Sequence, residues 1–211
     1  MASDYGNSFS LKIAKLTRRF GHRSVLRDIN FECGSGTSVC VTGPNGSGKS
    51  TLLRIIAGLL APSSGSVTLS IDEKETTAET KRRSVRLVSP EMNLYDELTG
   101  SENLRFLSSV SGVQASGDRI DAVLESLGLG QRGDDQFGEY SSGMKQRLKL
   151  ASALISDPPL LLLDEPSSNL DDDGKELLYR VMEEQKSRGI LVYATNEQDE
   201  QRFGDEIVRL G

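Results

Sequence analysis

Residues 43–51 read Gly-Pro-Asn-Gly-Ser-Gly-Lys-Ser-Thr, and no other part of the chain constrains the architecture as strongly. They match the phosphate-binding loop pattern G-x-x-x-x-G-K-[ST] at every position. An apolar run at 38–41 precedes the loop, and a helical pattern begins at about Gly48, which is the context that such a loop requires. Glycines let backbone N–H groups converge on an anion, and the positive end of the helix faces it. The stretch predicts a nucleotide site.

This loop supplies most of the candidate ligands for ATP. Lys49 is expected to bridge the β- and γ-phosphates, and the Ser50 hydroxyl is expected to ligate Mg²⁺. The predicted nucleotide-binding residues of the loop are Gly43, Asn45, Gly46, Ser47, Gly48, Lys49, Ser50 and Thr51.

Two carboxylates end a second apolar run, the four leucines at 160–163. In a fold built on a phosphate-binding loop, an acid at such a strand end holds magnesium, which predicts Asp164 as a metal ligand. Glu165 is then placed to polarise the attacking water and is a candidate catalytic residue together with Lys49. Taken alone, the pair would indicate only acids that end a strand at the surface.

Short apolar runs alternate with helical patterns, which predicts an α/β protein: a P-loop NTPase core with a mostly parallel sheet. Alternation in the first third, from Phe9 to Glu32, predicts an antiparallel β edge. Residues 90–155 carry few strand signals and predict an inserted helical subdomain. The expected organisation is one domain over 1–211, with 1–89 and 156–211 as the α/β core.

Helical spacing places Leu52, Ile55, Ile56 and Leu59 on one apolar face. The basic cluster at 81–83 is typical of a solvated loop.

Composition narrows the function classes. The net charge is −6, which disfavours binding to a nucleic-acid backbone. Cys33 and Cys40 have no metal-ligand or disulfide spacing, as expected in a reducing compartment, and Cys40 lies in an apolar run that predicts burial. The N-terminal residues have no apolar leader core, and no stretch approaches 18 apolar residues. Any role at a membrane therefore needs a partner.

Four motifs in a fixed order resemble those of ABC-type ATPases. The phosphate loop, or Walker A motif, comes first, and Tyr-Ser-Ser-Gly-Met at 140–144 resembles the signature motif, usually written LSGGQ. The leucine run into Asp164 and Glu165 resembles Walker B, and 167–171 resembles the D-loop. The resemblance covers the chain from about Phe9 to Leu210.

The resemblance implies further nucleotide contacts. Phe20 falls where the family places an aromatic side chain that stacks on adenine, although a core phenylalanine is the alternative. Ser141, Ser142 and Gly143 fall on the motif that closes over ATP held by another subunit. A serine there also suits a plain helix cap without any contact in trans. Asp171 would lie at a dimer interface or merely begin the next helix.

The chain departs from the family pattern at three places. Ser142 and Met144 replace a glycine and a glutamine of the signature. No glutamine is present at 88–92, where Pro90 or Glu91 takes its place. Asn196 stands where the family has a switch histidine, and it is the third candidate catalytic residue. Asparagine donates a hydrogen bond but carries no charge, so slow ATP hydrolysis is expected.

The resemblance implies an ATP-hydrolysing subunit that powers transport through a separate integral membrane subunit. Such subunits pair as homodimers or heterodimers and lie on the cytoplasmic face of the membrane. Compact exporter-type subunits, such as the haem-exporter ATPase of cytochrome c maturation, share the short form. Two alternatives remain: a nucleotide-gated dimer switch with little or no hydrolysis, and an ABC-type ATPase that acts on nucleic acid or ribosomes. The transported substrate and its direction are not predicted.

Overall fold

The computed structural model describes residues 8–211. Residues 1–7, which belong to the N-terminal stretch analysed above for a leader, lie outside the described residues. The described part contains nine strands and six α-helices. The strands are β1 (Phe9–Phe20), β2 (Arg23–Gly34), β3 (Thr37–Thr42), β4 (Ser64–Ile71), β5 (Lys74–Glu75), β6 (Val85–Val88), β7 (Leu160–Asp164), β8 (Ile190–Ala194) and β9 (Glu206–Arg209). The helices are α1 (Lys49–Ile56), α2 (Ala78–Ser84), α3 (Gly100–Val110), α4 (Gly117–Ser126), α5 (Ser142–Leu154) and α6 (Asp172–Arg188).

The chain divides into two compact units. Of the described residues, the first unit comprises 8–87, Pro159–Glu165 and Met182–Gly211, and the second unit comprises Val88–Pro158 and Pro166–Val181. The segment predicted to be helical, 90–155, falls within the second unit. The predicted domain boundaries themselves stay a prediction.

A five-stranded sheet with the order β6-β7-β8-β3-β9 contains the parallel pairs β7–β8, β8–β3 and β3–β9. Every residue of β7 and β8 is buried. Continuous apolar runs suit strands that are covered on both faces, which is why 160–163 and 190–194 carry almost no polar residue. The predicted α/β class with a parallel sheet is confirmed.

The antiparallel strands form a second, four-stranded sheet with the order β2-β1-β4-β5. Phe9, Leu11 and Ile13 alternate inward along β1 and are at most 4% exposed, as the period-two pattern predicts. Their outward neighbours Ser10 and Lys12 are less buried. The antiparallel part predicted from the first third of the chain is therefore a sheet of its own.

Three helices of the second unit begin at side-chain caps. Thr99 forms a reciprocal capping box with Glu102 at the start of α3, Ser116 caps α4, and Ser141 caps α5. Each cap oxygen accepts a backbone N–H that has no partner inside the helix.

Two local expectations were wrong. Leu59 was placed on the apolar face of the first helix, but α1 ends at Ile56 and the Leu59 side chain is 72% exposed. The basic cluster at 81–83 is predicted in a loop, yet it forms the last turn of α2. The negative end of the helix dipole stabilises cations there. Within residues 8–211, no helix is long and apolar enough to span a bilayer.

Candidate nucleotide-binding and hydrolysis site

The candidate catalytic residues follow the carboxyl ends of three adjacent parallel strands. The phosphate loop follows β3, Glu165 follows β7, and Asn196 lies two residues beyond β8. In the register of the sheet, Ala194 faces both Val41 and Asp164, so the three strands end at the same level. Open parallel sheets bind ligands at this edge, which is where the chain gathers its polar side chains.

Two glycines make the loop geometry possible. Gly43 has φ 146° and Gly48 has φ 106°, both in the left-handed region. A Cβ on Gly43 would collide with the Leu210 carbonyl, and a Cβ on Gly48 would lie 2.7 Å from Val25 Cγ1. Glycine is therefore required at both positions by conformation and by space. Gly48 caps α1, which begins at Lys49 as the sequence predicts.

Lys49 lies at the centre of the site. The side chain is only 6% exposed, yet its ammonium group donates to the Gly43 carbonyl and to Asn196 Oδ1, both at 2.9 Å. The ammonium nitrogen also lies 3.5 Å from Glu165 Oε1. A buried cation needs such partners, and they hold the ammonium at the mouth of the loop.

Asn196 links the other two candidate catalytic residues. Its amide nitrogen donates to Glu165 Oε1 at 2.9 Å and to Asn45 Oδ1 at 2.8 Å, while its carbonyl oxygen accepts from Lys49. One neutral amide thus contacts a cation and a carboxylate at once, because it carries a donor and an acceptor on the same group. A charged histidine could not accept from Lys49 in this way.

Glu165 has an unusual backbone conformation, with φ 48°, which is rare for a residue that has a Cβ. Its N–H donates to the Ala194 carbonyl at 2.9 Å, which continues the β7–β8 pairing by one residue. The side chain is 30% exposed and reaches Lys49 and Asn196. The preceding residue, Asp164, is 4% exposed at the end of β7.

A cavity of about 410 Å³ opens at this edge of the sheet, a size that suits a small-molecule ligand. Most predicted loop ligands and the candidate base Glu165 line it. Its lining residues are Arg23, Val25, Asn45, Gly46, Gly48, Lys49, Ser50, Thr51 and Glu165.

Arg23 and Val25 were not predicted as site residues. Both belong to β2, whose start lies beside the loop because Gly48 packs against Val25. An arginine three residues after the candidate adenine-stacking Phe20 was visible in the sequence, but only the sheet pairing brings it to the cavity. Ser47 lines a neighbouring cavity of about 400 Å³.

Phe20 is not among the residues that line either cavity. It ends β1, its side chain is 47% exposed, and the Arg18 guanidinium lies 4.4 Å from its ring centroid. An exposed aromatic ring does not fit the core alternative, and it leaves a ring face at the surface for stacking.

A hydroxyl and a carboxylate near this edge of the sheet are suitable ligands for magnesium that is bound together with a nucleotide. Among residues 8–211, no group of three or more His, Cys, Asp or Glu side chains is arranged to hold a metal ion. Ser50 lines the cavity, and Asp164 ends the strand before Glu165. Magnesium in such sites takes its remaining oxygens from phosphates and water, so one hydroxyl and one carboxylate are a sufficient protein contribution.

The signature residues lie at the start of α5 in the second unit. Ser141 is the N-cap, and its hydroxyl accepts from the Met144 N–H at 3.2 Å. Ser141 and Ser142 are exposed, and Gly143 is partly exposed. The capping role is therefore confirmed, and a helix start whose first residues are exposed is suited to an anion from outside the chain.

The position of the missing glutamine has a different contact. The Pro90 carbonyl accepts from the Lys149 ammonium group at 2.9 Å, and Glu91 is exposed. Burial, followed by the nearby Lys145, lowers the pKa of Lys149. The helix that begins at the signature thus contacts the entry to the helical segment within the second unit.

Fold and site together define a P-loop nucleotide-binding α/β protein. A comparison with family models matches residues 26–168 to the family described as ABC transporter. The chain belongs to the ABC transporter family, as its ordered motifs predicted.

Individual relatives agree. The chain is 40% identical to an ABC transporter ATP-binding protein of Bacillus subtilis over 78% of its length and 53% of the relative. It is 35% identical to a lantibiotic transport ATP-binding protein of Streptococcus pyogenes, over 86% of the chain and 77% of that protein. A solved ATP-binding subunit of an ABC transporter is 31% identical with a TM-score of 0.82, over 95% and 85% of the two chains. The chain spans about half the length of the Bacillus subtilis relative.

Proposed function

We propose that the chain binds and hydrolyses ATP and thereby powers transport through a separate membrane subunit. The observation that carries this proposal is the hydrogen-bonded group of Lys49, Asn196 and Glu165 at a cavity lined by a phosphate-binding loop. A structural ion pair alone would not account for a strained carboxylate beside an anion-binding loop. The lantibiotic transport relative supports transport as the process served.

Each residue of the site has a distinct role in this proposal. Lys49 and the N–H groups of the loop neutralise and hold the phosphates, and Arg23 adds a cation beside Gly46. Ser50 and Asp164 would hold Mg²⁺, which when bound would neutralise phosphate charge. Phe20 stacks on the base. Glu165 polarises the attacking water, and Asn196 fixes Glu165 through one N–H, while its other N–H, which donates to Asn45 Oδ1 in this structure, is redirected to the γ-phosphate.

Two copies of the chain, or this chain and a homologous one, enclose two ATP molecules. Each ATP lies between the loop of one chain and Ser141–Gly143 of the other, where the exposed start of α5 offers N–H groups. ATP binding closes the pair, and hydrolysis with product release reopens it. This cycle is a two-state element that a membrane subunit at the cytoplasmic face can follow.

Steady-state phosphate release tests the proposal. Purified chain with ATP and Mg²⁺ is compared with the Glu165→Gln variant, which keeps the size of the side chain and its contact with Asn196 but removes the base. We expect slow turnover that drops by at least about a hundredfold in the variant, together with an ATP-dependent dimer of the variant in size-exclusion chromatography. Equal turnover in both proteins would contradict hydrolysis by Glu165.

A second candidate function rests on Asn196. Because the site has an uncharged amide in place of the switch histidine, the chain could act as a nucleotide-gated dimer switch that hardly hydrolyses ATP. The switch would be favoured if the wild-type protein forms an ATP-dependent dimer but releases no phosphate, either alone or with its membrane subunit present.

A further inference from the structure

A buried glutamine of the signature helix contacts the residue that follows Glu165 in the chain. Gln146 lies in α5 and is 7% exposed, and its amide nitrogen donates to the Pro166 carbonyl at 3.1 Å. Because the amide and the carbonyl are both buried, losing either partner leaves a polar group without water to replace it. The bond therefore fixes the Pro166 peptide to α5.

A second contact joins the same two segments. The position of a Cβ on Gly143 would lie 3.3 Å from the Asn169 carbonyl, so the signature glycine approaches the backbone of the 166–170 segment closely. That segment is a tight turn, in which the Leu170 N–H donates to the Ser167 carbonyl and Asn169 has φ 66°. The signature end of α5 and the 166–170 turn thus form one packed body within the second unit.

The turn begins one peptide bond after the candidate base. Glu165 has a left-handed φ that its side chain disfavours, and such a conformation persists only where neighbouring groups over-determine it. On one side the Glu165 N–H is held by the Ala194 carbonyl. On the other side, Gln146 holds the Pro166 carbonyl, the nearest polar anchor after Glu165 in the chain.

We propose that Gln146 is a positioning residue that acts through Pro166 to hold Glu165 in its strained conformation. The orientation of the base then depends on the state of the signature helix. When ATP of a second chain engages Ser141–Gly143, any displacement of α5 is transmitted through Gln146 to Pro166 and Glu165. Occupancy of the signature motif thereby adjusts the base of its own chain. The last step rests on the proposed function, whereas the positioning of Glu165 by Gln146 does not.

Amide hydrogen exchange tests the positioning without any turnover. In Gln146→Leu, which keeps the volume but has no donor, we expect the amides of Glu165 and of 167–170 to exchange about tenfold faster in NMR spectra. Amides of β3 should exchange at the wild-type rate. Unchanged exchange at Glu165 would overturn the inference, whether or not the protein hydrolyses ATP.

Gln185 offers a matched control. It is also a buried glutamine, 0% exposed, whose amide donates to a backbone carbonyl, that of Ile190 at 3.4 Å. Gln185→Leu removes the same kind of bond away from Glu165, so it should leave the Glu165 amide unchanged. If both variants accelerate exchange at Glu165 equally, the effect is general loosening and the positioning role is wrong.

Kinetics then tests the consequence for hydrolysis. In Gln146→Leu we expect kcat to fall about tenfold while KM for ATP stays within about twofold, since the phosphate-binding residues are unchanged. Gln185→Leu should keep the wild-type kcat. Wild-type kcat in a Gln146→Leu protein that does show faster exchange would overturn the link to catalysis. Absence of turnover in the wild-type protein would instead count against the proposed function, and hydrogen exchange alone would then decide the positioning role.

Discussion

At the scale of single residues, the candidate site is held together by polar contacts among its own side chains. Lys49 contacts Gly43, Asn196 and Glu165, so its cation is already neutralised within the chain. The phosphates of ATP have to replace or share these contacts. The contacts therefore compete with nucleotide binding, and their strength sets part of the apparent affinity.

Lys49→Ala should weaken nucleotide binding by at least about tenfold, because a buried charge-assisted contact to phosphate is lost. Titration of a fluorescent ATP analogue measures the change. Lys12→Ala is the control, since Lys12 pairs with Glu32 on an exposed surface, with side-chain exposures of 61% and 59%. Equal affinity of the wild-type protein and Lys49→Ala for the analogue would show that Lys49 does not bind the phosphates.

Asn196→His should make turnover depend on pH. Among residues 8–211 the sole histidine is His22, outside the cavity, so no histidine titrates in the wild-type site. An imidazole near its usual pKa of about 6.5 gains charge as pH falls, and that charge favours the γ-phosphate. The variant should thus gain kcat between pH 8 and pH 6 relative to wild type. Parallel pH profiles would show that residue 196 does not face the reacting phosphate.

At the scale of elements, a variant at the start of α5 can show whether Ser141 is only a helix cap or also contacts ATP held by another subunit. Ser141→Ala should cost about 1 kcal/mol of unfolding free energy, the usual loss for an N-cap. Ser116→Ala is the matched variant, since the Ser116 hydroxyl caps α4 by accepting from Arg119 N–H at 3.2 Å, the distance found at Ser141. Urea unfolding should show similar losses.

Phosphate release separates the two cap variants. Only Ser141→Ala should lose turnover, because only α5 carries the signature residues. If both variants retain wild-type turnover, Ser141 is a cap and nothing more.

Much of this architecture is visible in the sequence, because buried parallel strands and a glycine-rich loop leave strong local patterns. The loop, Asp164, Glu165 and the start of α5 are readable for that reason. The positions of Arg23, Val25 and Gln146 are not readable, since sheet pairing and side-chain packing between distant segments determine them. The prediction for Leu59 was wrong because the apolar spacing continues past Ile56, where α1 ends, whereas Gly58 adopts a left-handed φ of 76° that turns the chain out of the helix.

At the scale of the whole molecule, two buried thiols report on global unfolding. Burial, with a smaller contribution from Glu206, raises the pKa of Cys33 to about 12, and burial also raises the pKa of Cys40. The folded state therefore favours the protonated thiols. Their contribution to stability is complete below about pH 9, the ordinary pKa of a thiol, and for Cys33 it is lost as pH rises toward about 12.

Labelling of these thiols at pH 8 should occur only through unfolded protein, since the thiolate is the reactive form. ATP with Mg²⁺ at a concentration of about 100 times Kd should slow the labelling by about a hundredfold, because only the ligand-free fraction, about 1% of the protein, unfolds. Time courses with a chromogenic disulfide reagent measure both rates. An equal labelling rate with and without ATP would mean that the thiols become accessible by local opening.

The order of strands in the parallel sheet also bears on how the chain is made. β8 lies between β3 and β7, and Asn196 follows Lys49 by 147 residues. A ribosome adding about 5–20 residues per second needs roughly 7–30 s to cover that distance. For that interval β3 has no β8 to pair with and leaves an apolar edge exposed in the cell. The unpaired edge is an aggregation hazard for the nascent chain before it has an ATP site, and fragments released short of β8 keep that edge exposed.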